Sequence, residues 1–312
     1  MDRSGDARLR ATGRIFATLM TVTTVAASPP ALADASPHPP PPRVMSIDQC
    51  ANQYLLALAD RDQILSLVKG GDETTLPFLA ERAGGIPRNH RTVEEIIAER
   101  PDILLSGPWS EMTADLAKRF GIRIVRLDAP RDIASARRQI IDVAKMLGHE
   151  DRGQDIAGQI DRQLADAARR PASQRLAGVV YRGGGYAYGS DTLVDSLMTT
   201  AGIDNVIARL GQKRAGTVEM EALITARPAV LLDDQARDLR SPRIATDMLA
   251  HPALRRALPD VARIQFPMAY WLCGGATVPL AIDSLSGLVR TRGLVQTRGL
   301  VQTRGPAPGR LP

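Results

Sequence analysis

The sequence predicts an α/β protein of two lobes, each with a central, mainly parallel sheet, joined by a long spine helix. Three observations predict it. Short β-branched and apolar runs alternate with amphipathic helical stretches along most of the 312 residues, the pattern of parallel sheets covered by helices on both faces. Residues 132–170 keep a helical pattern with no strand signal. Two distant segments echo one another: Glu94-Glu-Ile-Ile-Ala-Glu-Arg-Pro101-Asp-Ile-Leu-Leu and Glu221-Ala-Leu-Ile-Thr-Ala-Arg-Pro228-Ala-Val-Leu-Leu.

The elements follow in chain order. Arg3, Arg8, Arg10 and Arg14 precede an apolar stretch from Ile15 to Ala27, and Ala31-Leu32-Ala33 supplies the small residues a signal peptidase accepts. This predicts a secretory signal peptide over residues 1–33, cleaved before Asp34, and hence a periplasmic location. The stretch is too short and too rich in Thr for a membrane span. Residues 34–42 are a stiff Pro-rich linker. The N-terminal lobe, residues 43–149, contains candidate strands at Arg43–Ile47, Ile64–Val68, Ile103–Ser106 and Ile122–Leu127. Helical patterns cover Thr92–Glu99 and Glu111–Phe120. Asp132–Leu147 reads as a helix broken by Gly148-His149. The spine, residues 150–171, is a second helix about 30 Å long by helical rise, stopped by Pro171. The C-terminal lobe, residues 172–289, contains strands at Ala177–Tyr181, Ala229–Asp233 and Arg263–Phe266, and a helix at Thr192–Thr200. Residues 290–312 repeat Gly-Leu-Val-Gln-Thr-Arg, and are expected to be a disordered tail. In the two echoing segments a glutamate lies seven residues before the proline that ends a short helix and admits a strand.

Charge and composition narrow the function. Hydrophobic residues make up 44% and charged residues 24%, the balance of a soluble globular protein. The formal charge of +6 divides into +2 in residues 1–33 and +5 in residues 290–312, which leaves −1 for residues 34–289. The basic character belongs to the ends and gives no reason to expect a nucleic-acid partner. The four histidines lack the paired spacing of a metal-ligand set, so no resident metal or cofactor is expected. Gly183-Gly-Gly-Tyr-Ala-Tyr-Gly189 departs from the dinucleotide fingerprint. Neither a nucleophile elbow nor a Ser/His/Asp set can be singled out, which argues against an enzyme. Cys50 and Cys273 fall in different lobes; they are either a bridge formed after export or two separate thiols.

The Trp and Tyr residues are few, and all lie at or just beyond the end of a candidate strand: Tyr54, Trp109, Tyr181, Tyr186, Tyr188, Tyr270 and Trp271. Loops at the carboxyl ends of parallel strands are where open α/β sheets bind ligands. Gln53, Arg182, Asp233 and Asp234 occur on the same loops. An acid–base site using Asp233, Asp234 or His90 in an exported α/β enzyme is the rival reading.

The order of these motifs around a spine helix resembles the class III periplasmic substrate-binding proteins of ATP-driven importers, which carry ferric siderophores, haem or cobalamin. The resemblance runs from Arg43 to Leu288. It rests on Asp48-Gln-Cys-Ala-Asn-Gln-Tyr54, the Glu94–Leu105 segment, Gly189-Ser-Asp-Thr-Leu-Val-Asp-Ser-Leu with Ala-Gly-Ile-Asp-Asn205, the Glu221–Leu232 segment and Tyr270-Trp-Leu-Cys-Gly-Gly275. It implies a monomer with a ligand cleft between the lobes, and a permease with its ATPase as partners. Gln53, Tyr54, Trp109, Tyr181, Arg182, Tyr186, Asp234, Tyr270 and Trp271 would line the cleft. Glu94 and Glu221 would dock on permease arginines. The ligand, a ferric siderophore or a corrinoid, brings its own iron or cobalt. With Arg182 as the only arginine assigned to the pocket, the reading leans to a weakly charged ligand such as a hydroxamate chelate or a corrinoid. Import and signalling through a membrane sensor remain alternatives.

Overall fold

The computed structural model describes residues 40–70, 77–171, 175–233 and 252–295. The expected signal peptide, most of the linker, Asp234 and residues 296–312 lie outside them. The N-terminal lobe runs β1 (Val44–Ser46), α1 (Gln49–Leu58), β2 (Ile64–Val68), α2 (Pro77–Arg82), β3 (Arg88–Asn89), α3 (Val93–Glu99), β4 (Ile103–Ser106), α4 (Glu111–Lys118) and β5 (Ile124–Arg126). Then come α5 (Ile133–Leu147) and α6 (Glu150–Ala168). The C-terminal lobe begins with β6 (Leu176–Arg182), β7 (Tyr186–Tyr188), α7 (Leu193–Ala201), β8 (Ile203–Asn205) and α8 (Val206–Arg209). It continues with β9 (Ala215–Thr217), α9 (Met220–Ala226), β10 (Val230–Asp233), α10 (Pro252–Ala257), β11 (Ala262–Gln265) and α11 (Val278–Val295).

The first sheet has the order β3-β2-β1-β4-β5, and every neighbouring pair is parallel. Its strands read as continuous apolar runs because both faces are covered. Val44, Ile103 and Leu105 pack towards Leu55 of α1 and Ile140 of α5, whereas Met45, Ile47 and Leu104 meet Ile96 of α3 and Ala114 and Ala117 of α4. The second sheet is mixed. β11, β10, β6 and β8 pair in parallel, while β7 and β9 extend from β6 in antiparallel fashion. Gly184 and Gly185, at φ 77° and 80°, turn the chain from β6 into β7, so the glycine-rich stretch forms a hairpin.

Helix α5 ends on Gly148 in the left-handed conformation, φ 81°, and α6 starts at once. The two helices cross closely, since a Cβ on Gly153 would lie 2.5 Å from that of Ala144. Arg137 of α5 also grips Asp161 of α6 through two bonds of 2.8 and 2.7 Å. Helix α6 buries Gly153, Ile156, Ala157 and Ile160 on one stripe at helical spacing. The largest apolar cluster joins Leu55 of α1, Ile140 of α5, Ile160 of α6, Leu197 of α7 and Ala281 of α11. The lobes therefore share a core and are not merely tethered. Helix α11 continues to Val295, past residue 290 where the tail was expected to begin. None of the described helices is long and apolar enough to cross a membrane.

Candidate ligand cleft

A cleft of about 740 Å³ opens at the carboxyl ends of the strands of both lobes. From the N-terminal lobe come Trp109, in the loop after β4, and Ala129-Pro130-Arg131, between β5 and α5. The C-terminal lobe contributes Arg182, Tyr186 and Tyr188 from the β6–β7 hairpin, Arg214 beside β9, and Trp271 with Leu272 from the loop before α11. The rings form a chain. Tyr186 meets Tyr188 edge-on at 5.6 Å, and Tyr188 meets Trp271 at 4.8 Å and 69°. Arg182 Nη1 donates to the Tyr188 hydroxyl at 3.3 Å. Trp109 is 56% exposed, whereas Trp271 is 2% exposed and its buried indole N–H has no acceptor among the described residues.

Trp109, Arg182, Tyr186 and Trp271 lie on the lining of this cleft. Gln53, Tyr54, Tyr181 and Tyr270 lie outside that lining. Side chains alternate along a strand, so Tyr181 turns into the core beside Val179 and Leu231 and donates to the Val218 carbonyl at 3.3 Å. Its neighbour Arg182 takes the opposite face. Tyr270 is buried and stacked on Phe266 at 5.6 Å. Gln53 and Tyr54 face the seam beneath the cleft. There α1 meets the chain segment 268–275: Gln53 Nε2 donates to the Ala269 carbonyl at 3.5 Å, and Tyr54 Oη to that of Gly274 at 3.0 Å. Gln139 of α5 donates to Tyr54 Oη at 2.9 Å. Burial pushes the Tyr54 phenol far above its ordinary range, so it remains a donor.

A disulfide joins Cys50 to Cys273 across the same seam, which resolves the alternative left by the sequence. Asp48 positions Cys50, capping α1 by accepting from the Cys50 N–H at 2.8 Å. Burial raises the Asp48 carboxyl above its usual range, with the Cys50 N–H opposing that shift.

Sequence reasoning missed Arg131, Arg214 and Leu272, and left Tyr188 out of the pocket set. Arg214 leads into β9, a three-residue strand with no periodic signal of its own. Arg131 follows Pro130 at the mouth of α5, where a charged residue reads as a solvated loop. Three arginines therefore face the cleft, which removes the premise of a single pocket arginine. Among the described residues there is no group of three His, Cys, Asp or Glu arranged to hold a metal ion.

Glu94 and Glu221 lie in the first turns of α3 and α9, and both are exposed. The two helices have equal length and end alike, on Arg100 at φ 46°, ψ 62° and Arg227 at φ 45°, ψ 62°. Glu95 is occupied locally, since it closes a capping box with Thr92 and accepts from the His90 backbone N–H at 2.8 Å. Glu94 is the one that faces outward.

Two α/β lobes around a helical spine, with an aromatic cleft between them, define a solute-binding receptor fold. The family comparison gives the particular assignment: residues 48–258 match the periplasmic binding protein family, and the chain belongs to it. A cobalamin-binding protein of Halobacterium salinarum is 24% identical over 206 residues, which are 64% of this chain and 55% of that protein. The match thus spans about half the length of that relative. Among solved structures, the apo periplasmic heme-binding protein RhuT from Roseiflexus sp. RS-1 aligns at TM-score 0.64 and 23% identity, covering 80% of this chain and 96% of the other. The vitamin B12-binding protein BtuF of Vibrio cholerae aligns at TM-score 0.59 and 14% identity, over 81% and 98%. A protein of an Fe3+-hydroxamate transport system from Saccharomonospora viridis DSM 43017 aligns at 0.60 and 20%, over 81% and 94%. These likenesses establish the fold.

Proposed function

We propose that this chain is the exported receptor of an ABC importer, and that its cleft captures a large metal chelate for delivery to an inner-membrane permease. Residues 1–33 serve as the export signal, and Glu94 and Glu221 meet the permease. The observation that supports this reading most directly is the composition of the cleft. Trp109, Tyr186 and Tyr188 offer apolar faces to a broad ligand, with the buried Trp271 backing Tyr188, while Arg131, Arg182 and Arg214 surround its edge. The arginines favour a ligand with acidic groups over the weakly charged ligand expected from sequence. Heme carboxylates or an acidic ferric siderophore fit that chemistry better than cobalamin does. The heme-binding, vitamin B12-binding and Fe3+-hydroxamate transport proteins named above span the same range of ligands.

The chain has two tryptophans, and both line the cleft. Titration of the purified protein by tryptophan fluorescence with hemin, ferrichrome and cyanocobalamin therefore tests the proposal. Saturable one-to-one quenching by one of them, weakened by added salt in proportion to its acidic groups, is the expected result. Absence of quenching by all three, together with turnover of a small molecule, would overturn the receptor reading.

A further inference from the structure

We propose that the Cys50–Cys273 bridge sets the width of the cleft, so that the ligand is selected by walls spaced before it arrives. The bridge ties the first turn of α1 to the segment 268–275, with Cα atoms 5.0 Å apart and both cysteines 3% exposed. The Tyr54 and Gln53 bonds described above reach the same segment from the next turn of the same helix. A Cβ on Gly275 would meet the Tyr54 ring at 3.3 Å, and one on Gly274 would meet Pro130 at 2.6 Å. The segment therefore lies directly against both α1 and the loop that carries Arg131.

What this seam holds is the cleft itself. Trp271 and Leu272 stand immediately before Cys273 and form one wall, whereas Ala129, Pro130 and Arg131 belong to the other lobe's wall. Hydrogen bonds at the seam can exchange with water; a covalent link cannot. With the link in place, the separation of Trp271 from Pro130 is fixed in the free protein. Without it the segment samples several positions, and apparent affinity falls by the fraction of molecules whose walls are correctly spaced. Cys50 and Cys273 are thus positioning residues. The selection step rests on the receptor reading above; the pinning of the segment does not.

The experiment compares the full wild-type protein with the C50S/C273S variant, titrated by tryptophan fluorescence with hemin, ferrichrome and cyanocobalamin. Far-UV circular dichroism should be unchanged, and the preferred probe should bind about tenfold more weakly. The ratio of affinities between probes should narrow, because loosened walls admit misfitting ligands; a bridge that only stabilised the fold would leave that ratio alone. Equal affinities and equal ratios in the two proteins would overturn the proposal. If none of the probes binds even the wild type and a small molecule is turned over, the receptor reading fails; in either case hydrogen exchange over residues 268–275 decides the pinning separately. Exchange about tenfold faster in the variant supports it, and unchanged exchange overturns it. Should C50S/C273S not fold, C50A/C273A opens the bridge while keeping the buried seam apolar. It is expected to speed exchange over residues 268–275 about tenfold, and no change there would overturn the proposal.

Discussion

A Cβ added to Gly189 would overlap the carbonyl of Gln212, whose oxygen also accepts the Ser190 N–H at 2.9 Å. Backbone cannot yield as a side-chain tip can, so Gly189→Ala is expected to lower stability by about 2 kcal/mol. This should appear as a lower urea midpoint at constant slope. The Gly189 N–H donates to the Arg214 carbonyl at 3.2 Å, so the strain is transmitted to the cleft wall, and ligand affinity should fall as well. Glu95 gives a pH signature. Its hydrogen bond with the His90 ring, assisted by the His90 and Thr92 N–H groups and the Thr92 hydroxyl, lowers its pKa from 4.5 to about 2. Between these values the unfolded chain binds the extra proton, so the stabilisation is whole above about pH 4.5 and vanishes as pH falls through about 2. Urea midpoints of the wild type and E95Q should differ at pH 6 and converge towards pH 2. At this scale the sequence was half readable. It shows that Trp and Tyr stand at strand ends, but whether Tyr181 or Arg182 turns outward depends on a register that only the sheet defines.

At the scale of elements, α3 and α9 are a matched pair down to their last residues. Both end on an arginine in the left-handed region, where a Cβ crowds the carbonyl and glycine is the usual occupant. Arg227→Gly is expected to stabilise the protein by about 0.5–1 kcal/mol, since strain is relieved while the unfolded chain gains some freedom. A rise in thermal midpoint checks this, and a fall would show that the arginine side chain contributes more than its backbone costs. The parallel strands were legible because two covered faces demand uninterrupted apolar runs. The β7 and β9 strands were not. Each is three residues long, and β7 follows three glycines, so their pairing is decided by the hairpin and not by local preference.

For the whole molecule, the spine and the shared core hold α3 and α9 in a fixed relation, each presenting an exposed glutamate. Charge reversal at both, E94K with E221K, should leave ligand affinity and thermal midpoint unchanged because neither side chain is buried. Ligand-dependent stimulation of the permease ATPase should fall roughly tenfold or more, as like charges meet at the docking face. Equal stimulation by wild type and variant would count against the docking role. The two-lobe plan was legible from the echo around Pro101 and Pro228. The seam was not, because contacts such as Tyr54 with Gly274 join residues 220 positions apart.

The bridge also has a consequence for how the molecule is made. Cys50 and Cys273 are the chain's only cysteines and stand 223 residues apart. On the export route proposed above, the N-terminus emerges first and Cys50 reaches the oxidising side with nothing in its own chain to pair with. All five strands of the first sheet lie before residue 127 and can assemble during that interval. Oxidation within the chain must wait until the second lobe has crossed and come to rest against the first. The thiol pair therefore acts as a late checkpoint in biogenesis, closing only on a protein whose halves have already met.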